Sequence, residues 1–241
     1  MNKIGIIGRG SLALLTALEI SKKFKDSELY LYGEHEEFSA SYAAGAMINI
    51  LSEIDCFNID HPLSNWKLQN RHKAIKAWNE LNKSLNKDGI VHKSIIKGAG
   101  TEISISSEST NIVERNSYQA IIDAASRHNI PIHQNKKLQN SLLIEDEKSV
   151  DSKFLLESIE KYLKKNINFI NRNIVSIHKL PDEKLALKDS KNEEILFDKV
   201  IIACGAWSEK LIDASKNIIK PKIKSFFGIG SALLIKSEMP Y

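Results

Sequence analysis

The sequence predicts an α/β fold built on a parallel sheet, and three observations predict it. The run Lys3–Ile7 is apolar, ends at Gly8 and leads within a few residues into leucines at helical spacing. A second strand-like run, Glu28–Tyr32, follows at the distance a helical crossover needs. Near the other end, Val200-Ile201-Ile202-Ala203-Cys204 is continuously apolar and closed by Gly205, the pattern of a central parallel strand buried on both faces.

The first turn is the most specific of these. It reads Gly8-x-Gly10-x-x-Ala13, preceded by Ile4, Ile6 and Ile7 and followed by Leu12, Leu14, Leu15, Ala17, Leu18 and Ile20. In a Rossmann-like turn the first glycine permits the tight bend. The second lets backbone approach a pyrophosphate, and a small third residue lets helix and strand touch. The helix N-terminus then presents free N–H groups to the phosphates. An ordinary tight strand-to-helix turn is the plainer reading of such glycines, and the flanking pattern favours the dinucleotide. An acid about 20 residues further on contacts a ribose hydroxyl in such units. Glu34 is that acid, although Gly33 ends the strand and puts it one place late; Glu34, Glu36 and Glu37 also read as a solvated acidic turn.

Beyond the second strand, Phe38 to Met47 is dense in small residues and fits a tightly packed loop or short helix. Leu63, Trp66, Ile75, Trp78, Leu81 and Leu85 predict helices with one buried face between Pro62 and Leu85. Residues 89–106 alternate as strands do, clearest in Thr101–Ser106. Tyr118, Ile121, Ile122 and Ala125 mark a further helix that ends before Asn129-Ile130-Pro131. Residues 134–148 read as polar loop apart from Leu142-Leu143-Ile144. An amphipathic helix with Phe154, Leu155, Ile159, Tyr162 and Leu163 then precedes strands at Ile167–Ile170, Ile174–Ile177, Lys184–Leu187 and Ile195–Phe197.

Composition narrows the classes. The 241 residues are 42% hydrophobic, enough for a sizeable core in one or two domains. The net charge of +4 comes from lysines spread along the chain, which argues for a solvated surface and against a nucleic-acid stripe. The 2 cysteines, Cys56 and Cys204, have no metal or disulfide spacing and point to a reducing compartment, hence the cytoplasm. No run approaches the length of a membrane span. The 7 histidines are scattered without ligand spacing, so no metal site is expected.

Three strings in order carry a resemblance: Ile6-Ile7-Gly8-Arg9-Gly10-Ser11-Leu12-Ala13, Ser41-Tyr42-Ala43-Ala44-Gly45-Ala46-Met47, and Val200-Ile201-Ile202-Ala203-Cys204-Gly205-Ala206-Trp207-Ser208. Together they resemble the FAD-dependent amine and amino-acid oxidases, the family of D-amino-acid oxidase, glycine oxidase and sarcosine oxidase. Ser149-Val150-Asp151 also looks like the family's Val-Asp-Pro helix start, with Ser152 in place of proline. The resemblance implies a Rossmann-like FAD-binding domain at residues 1–50 and 145–215, interrupted by a partial, discontinuous α+β substrate domain at 51–144 and 216–241. It implies that Gly8, Arg9, Gly10 and Ser11 face the pyrophosphate and Glu34 the adenosine ribose. Ser41, Ala43, Ala44, Gly45 and Met47 would lie along the phosphates and flavin, Ile174 or Val175 would offer backbone to the adenine, and Ala203, Cys204 and Gly205 would close the far side.

The FAD would be held non-covalently, because Tyr42 stands where some relatives carry a tethering histidine. The family moves a hydride from the substrate Cα–H to flavin N5 and the resulting imine is hydrolysed. The cofactor carries that chemistry, so no catalytic residue is nominated. Cys204 reads as a small core residue beside the cofactor. The substrate class is a small amine or amino acid.

The family runs on past the equivalent of Ser225–Ile235, which reads as a strand returning to the substrate domain. The family's carboxylate-binding arginine and second glycine-rich flavin contact belong to that further stretch. The expectation is therefore the front part of an oxidase, needing a C-terminal region or a partner chain, with an exposed apolar edge near 222–235. A non-catalytic dinucleotide-binding fragment or a subunit of a split flavoenzyme is the alternative. An NAD(P)-linked dehydrogenase is disfavoured, since the second and third strings have no role in a plain NAD site.

Overall fold

A computed structural model describes residues 2–35, 39–44, 46–98, 100–134 and 141–215. The chain divides into two compact units, residues 1–44 with 156–241, and residues 45–155. These limits fall several residues from the boundaries expected at 50 and 145. Gly45 and the segment 216–241, with its expected strand at Ser225–Ile235, lie outside the described residues.

The first unit opens with β1 (Lys3–Ile7), α1 (Ser11–Lys23), β2 (Glu28–Tyr32) and the one-turn helix α2 (Ala40–Ala43). In the second, β3 (Met47–Ile48) and a 3-10 turn at Leu51–Glu53 lead to α3 (Pro62–Lys87). The sequence suggested more than one helix here, and the structure has one of 26 residues. His61 starts it: its Nδ1 accepts the Leu63 N–H at 3.1 Å, and Pro62 at the first position needs no N–H partner. β4 (Ile96–Lys97), β5 (Thr101–Ser104), α4 (Ile112–Arg127), β6 (His133–Gln134), β7 (Ser141–Ile144) and β8 (Lys148–Val150) follow. Of the stretch 134–148 read as polar loop apart from Leu142–Ile144, Gln134, Ser141 and Lys148 lie in strands, 145–147 join β7 to β8, and 135–140 lie outside the described residues. The core of this unit gathers Leu51, Leu68, Ile121, Ala124 and Ile144, from the 3-10 turn, both helices and β7.

Helix α5 (Ser152–Asn166) returns the chain to the first unit. There β9 (Asn168–Ile170), β10 (Ile174–Lys179), β11 (Leu185–Asp189), β12 (Glu194–Phe197), β13 (Lys199–Ile202) and α6 (Ser208–Ala214) complete it. Four strands form a parallel sheet in the order β13-β1-β2-β9, and β10-β11-β12 form an antiparallel one. Side chains alternate along a strand. Ile4 and Ile6 share the face opposite to Gly5 and Ile7, while Ala13, Leu14, Ala17 and Leu18 of α1 are fully buried. On the Gly5 face, Ile7 and Tyr32 pack with Leu187 and Phe197 of the antiparallel sheet, and Phe197 meets Tyr30 edge-on at 5.2 Å.

One expectation is corrected. β13 pairs only with β1 among the described strands, so it is an edge there, with Lys199 exposed and Val200, Ile201 and Ile202 half-buried. The central places belong to β1 and β2. The apolar run has another cause: Val200, Ile202 and Cys204 pack against the core shared with the antiparallel sheet.

Candidate functional site

The site grows from the carboxyl ends of β1 and β13. The ladders run on past both strands, with Gly8 N–H donating to Tyr32 O at 2.8 Å and Ala203 N–H to Ile7 O at 2.7 Å. Gly8 has φ +127°, and a Cβ there would stand 2.2 Å from the Ala203 carbonyl oxygen. Only glycine lets the turn cross so close to the neighbouring strand end. Gly10 then precedes α1 without any side-chain cap, and the first turn holds no acidic residue. The leading N–H groups of a helix have no intrahelical acceptor. Here Ser11 N–H reaches Ser41 Oγ at 3.0 Å, and the helix end presents an uncapped positive dipole.

This turn lines a cavity of about 460 Å3 lying wholly within the first unit. Gly8, Arg9, Gly10, Ser11, Glu34, Ser41, Ala203, Cys204 and Gly205 all border it, residues drawn from three distant stretches of sequence. Ile174 and Val175 border a neighbouring cavity of about 360 Å3, to which Gly8, Cys204, Asn173 and Trp207 also contribute. Ala43 and Ala44 end the short helix α2 and border neither. Met47 belongs to the other unit and is 58% exposed.

The structure assigns Arg9 a part the motif does not show. Its guanidinium grips Glu160 of α5 through Nε at 3.0 Å and Nη2 at 2.6 Å. Nη1 donates to Asn171 Oδ1 at 2.7 Å and to the Gly33 carbonyl at 3.3 Å, and the group stacks over Phe169 at 4.9 Å. Lys164 also reaches Glu160 at 2.7 Å. Burial pushes the Glu160 carboxyl up, yet the bonds from Arg9 and Lys164 outweigh it and hold the group below its ordinary value. The guanidinium charge is therefore answered inside the fold, and what Arg9 offers beside the helix end is its backbone.

Asn173, Tyr42 and Trp207 also line the cavity, beside the residues expected to hold the cofactor. Asn173 accepts the Glu34 N–H at 3.4 Å, and Tyr42 stacks edge-on with His35 at 5.3 Å. Burial, with the Glu160 charge, pushes the Tyr42 phenol up to about 12, so it stays a neutral hydroxyl. Trp207, 60% exposed, sits on the 3-10 turn Gly205–Trp207 after β13 and was visible in the third string. Among the described residues no cluster of His, Cys, Asp or Glu is placed to hold a metal, and no helix is long and apolar enough to cross a membrane.

Uncapped helix, glycine turn and cavity at the strands' carboxyl ends define an α/β protein with a dinucleotide-binding type of fold. No protein-family model and no curated protein matches the chain. Solved structures do. Glycine oxidase from Geobacillus kaustophilus matches with a TM-score of 0.69 at 15% identity, over 89% of this chain and 58% of that one. Iminodiacetate oxidase from Chelativorans sp. BNC1 matches with 0.69 at 15%, over 88% and 57%. L-alpha-glycerophosphate oxidase from Mycoplasma pneumoniae, solved with FAD bound, matches with 0.61 at 18%, over 90% and 58%. The chain thus has the fold of these oxidases and spans less than two thirds of their length.

Proposed function

We propose that this chain is the dinucleotide-holding part of an FAD-dependent oxidoreductase acting on a small amine or amino acid. The observation that carries the reading is the convergence of Gly8–Ser11, Ser41 and Ala203–Gly205 on one cavity at the uncapped start of α1. The residues fit the group: a diphosphate needs bare backbone and N–H donors, and the Gly8 turn has room for nothing larger than hydrogen.

In this reading Gly8, Gly10 and Ser11 hold the pyrophosphate, the Ser11 and Ser41 hydroxyls, 3.3 Å apart, giving it donors. Glu34 accepts from the adenosine ribose, and the backbone of Ile174 or Val175 meets the adenine. Ala203, Cys204 and Gly205 close the far wall, and Ala43 and Ala44 flank the flavin. Bound flavin supplies the hydride acceptor for the substrate Cα–H. The protein binds and orients, and excludes water from the cavity. The substrate pocket is completed by a further stretch of polypeptide or a partner chain. Both cysteines are free, in keeping with a cytoplasmic location.

Purified protein tests this directly. The expected result is a yellow chain whose flavin spectrum bleaches anaerobically with glycine, sarcosine or a D-amino acid once the partner stretch is supplied. Bound flavin that never bleaches would reduce the role to dinucleotide binding. A colourless chain that titrates with NAD and not FAD would overturn the reading.

A further inference from the structure

The cavity at the glycine turn and its neighbour of about 360 Å3 lie in the same unit and share Gly8, Asn173, Cys204 and Trp207. A molecule lying across both therefore passes from the pyrophosphate turn to the start of β10. The walls of the second cavity are mostly apolar, with Ile174 and Val175 contributed by β10 and Leu211 by α6. Among the described residues its one charged lining side chain is Lys210, and no carboxylate borders it. Such walls suit an uncharged, flat ring.

Trp207 is 60% exposed in a stretch whose neighbours are packed. Cys204, three residues before it, packs against the core shared with the antiparallel sheet, and Leu211, four residues after it, is buried there. The indole makes no ring or cation–π contact among the described residues. Its backbone is nonetheless held, because Trp207 N–H donates to Cys204 O at 3.1 Å across the 3-10 turn. Exposure alone decides nothing, since Trp66 of α3 is 61% exposed and borders neither cavity. What sets Trp207 apart is its place: an open indole, fixed on a short turn, that borders both cavities. An aromatic side chain in such a place is a stacking platform, because every nucleobase has a π-face.

We propose that Trp207 is the base-stacking residue of the dinucleotide site, its indole gripping the purine ring of the adenosine half in the second cavity. The proposal rests on the reading of this chain as a dinucleotide binder. It adds the residue that holds the base by its face, where the backbone of Ile174 or Val175 would meet its edge.

Titration of the full, flavin-free chain with ADP and with inorganic pyrophosphate tests it. ADP carries base and diphosphate, and pyrophosphate the diphosphate alone. ADP is expected to quench the tryptophan emission saturably, and pyrophosphate to leave it unchanged. Trp207→Leu keeps an apolar side chain and loses the π-face. It is expected to weaken ADP about tenfold and to leave pyrophosphate affinity unchanged. The quench is expected to vanish, although Trp66 and Trp78 remain. Trp207→Phe keeps a ring, so ADP is expected to bind nearly as it does to the parent, again without the quench. If the leucine variant does not fold, the phenylalanine variant carries the quench test by itself. A leucine variant that binds ADP as the parent does, an equal loss of ADP and pyrophosphate, or a quench that survives in either variant would each overturn the assignment of Trp207. Those outcomes leave the dinucleotide reading standing wherever the parent binds FAD. A parent that takes up neither FAD nor ADP would overturn both.

Discussion

Arg9 and Glu160 lie 151 positions apart and meet in a two-pronged ion pair, Nη2 to Oε1 at 2.6 Å and Nε to Oε2 at 3.0 Å. Their side chains are only 9% and 10% exposed. The pair ties the residue between the two glycines to helix α5, so the turn's shape depends on a helix far away in sequence. Glu160→Ala leaves the guanidinium buried without its partner. Breaking such a pair costs about 3 kcal/mol, and the urea midpoint is expected to fall accordingly. Dinucleotide affinity is expected to fall with it, because the turn loses its anchor. A midpoint within experimental error of the parent would show that the pair holds nothing.

The same pair sets a pH dependence. In the folded chain the Glu160 carboxyl sits below its ordinary value, so the unfolded chain takes up its proton first as acid is added. The stabilisation is fully present at neutral pH and is lost as the pH falls through and below the usual carboxylate range. Urea midpoints measured from pH 7 down into that range are expected to drop for the parent chain. Glu160→Gln, which cannot titrate, is expected to begin lower and fall less steeply.

Gly8→Ala tests the turn itself. The new Cβ would meet the Ala203 carbonyl at 2.2 Å, on a backbone with φ +127° that side chains avoid. Neither contact partner is a flexible side-chain tip, so β1 and β13 must separate. Strain and overpacking together cost about 2–4 kcal/mol, and the expected outcome is a lower melting temperature with loss of dinucleotide binding. A variant that binds as the parent does would show that the turn relaxes freely.

Much of the fold was legible because its signals are local. Gly8, Gly10 and the leucines of α1 sit within one short stretch, and the strand at Glu28–Tyr32 was bounded correctly by its own composition. The place of β13 was misread because continuous apolarity does not say which sheet covers a strand; here the antiparallel sheet does. At the site, the glycines and small residues announced themselves by type. Glu160, Asn171 and Asn173 did not, since a charged or amide residue reads as surface until a partner from a distant segment is found.

Asp151 governs the start of α5. Its Oδ1 accepts the Phe154 N–H at 3.0 Å and its Oδ2 meets Lys97 Nζ at 2.5 Å. Burial raises the carboxyl, but these contacts prevail and hold it below its ordinary value. Asp151→Ala removes a helix cap worth about 1 kcal/mol together with the lysine contact. Asp151→Asn keeps an oxygen for the cap, so thermal melts are expected to rank the parent first, Asn second and Ala last. Equal melting of the two variants would assign the whole effect to Lys97.

Glu34 offers the cleanest separation of cofactor binding from folding. It is exposed, it borders the cavity, and its backbone N–H donates to Asn173 Oδ1, while its carboxylate makes no hydrogen bond or ion pair among the described residues. If that carboxylate accepts from the adenosine ribose, only a flavin that carries adenosine can feel its loss. A hydrogen bond to a charged group contributes about 1.5 kcal/mol or somewhat more, which is about tenfold in affinity. Glu34→Ala is therefore expected to weaken FAD about tenfold in a fluorescence titration, to leave the affinity for FMN unchanged, and to leave the melting temperature of the flavin-free chain where it was. An equal loss for both flavins would move Glu34 away from the ribose and make it a general electrostatic element of the cavity mouth.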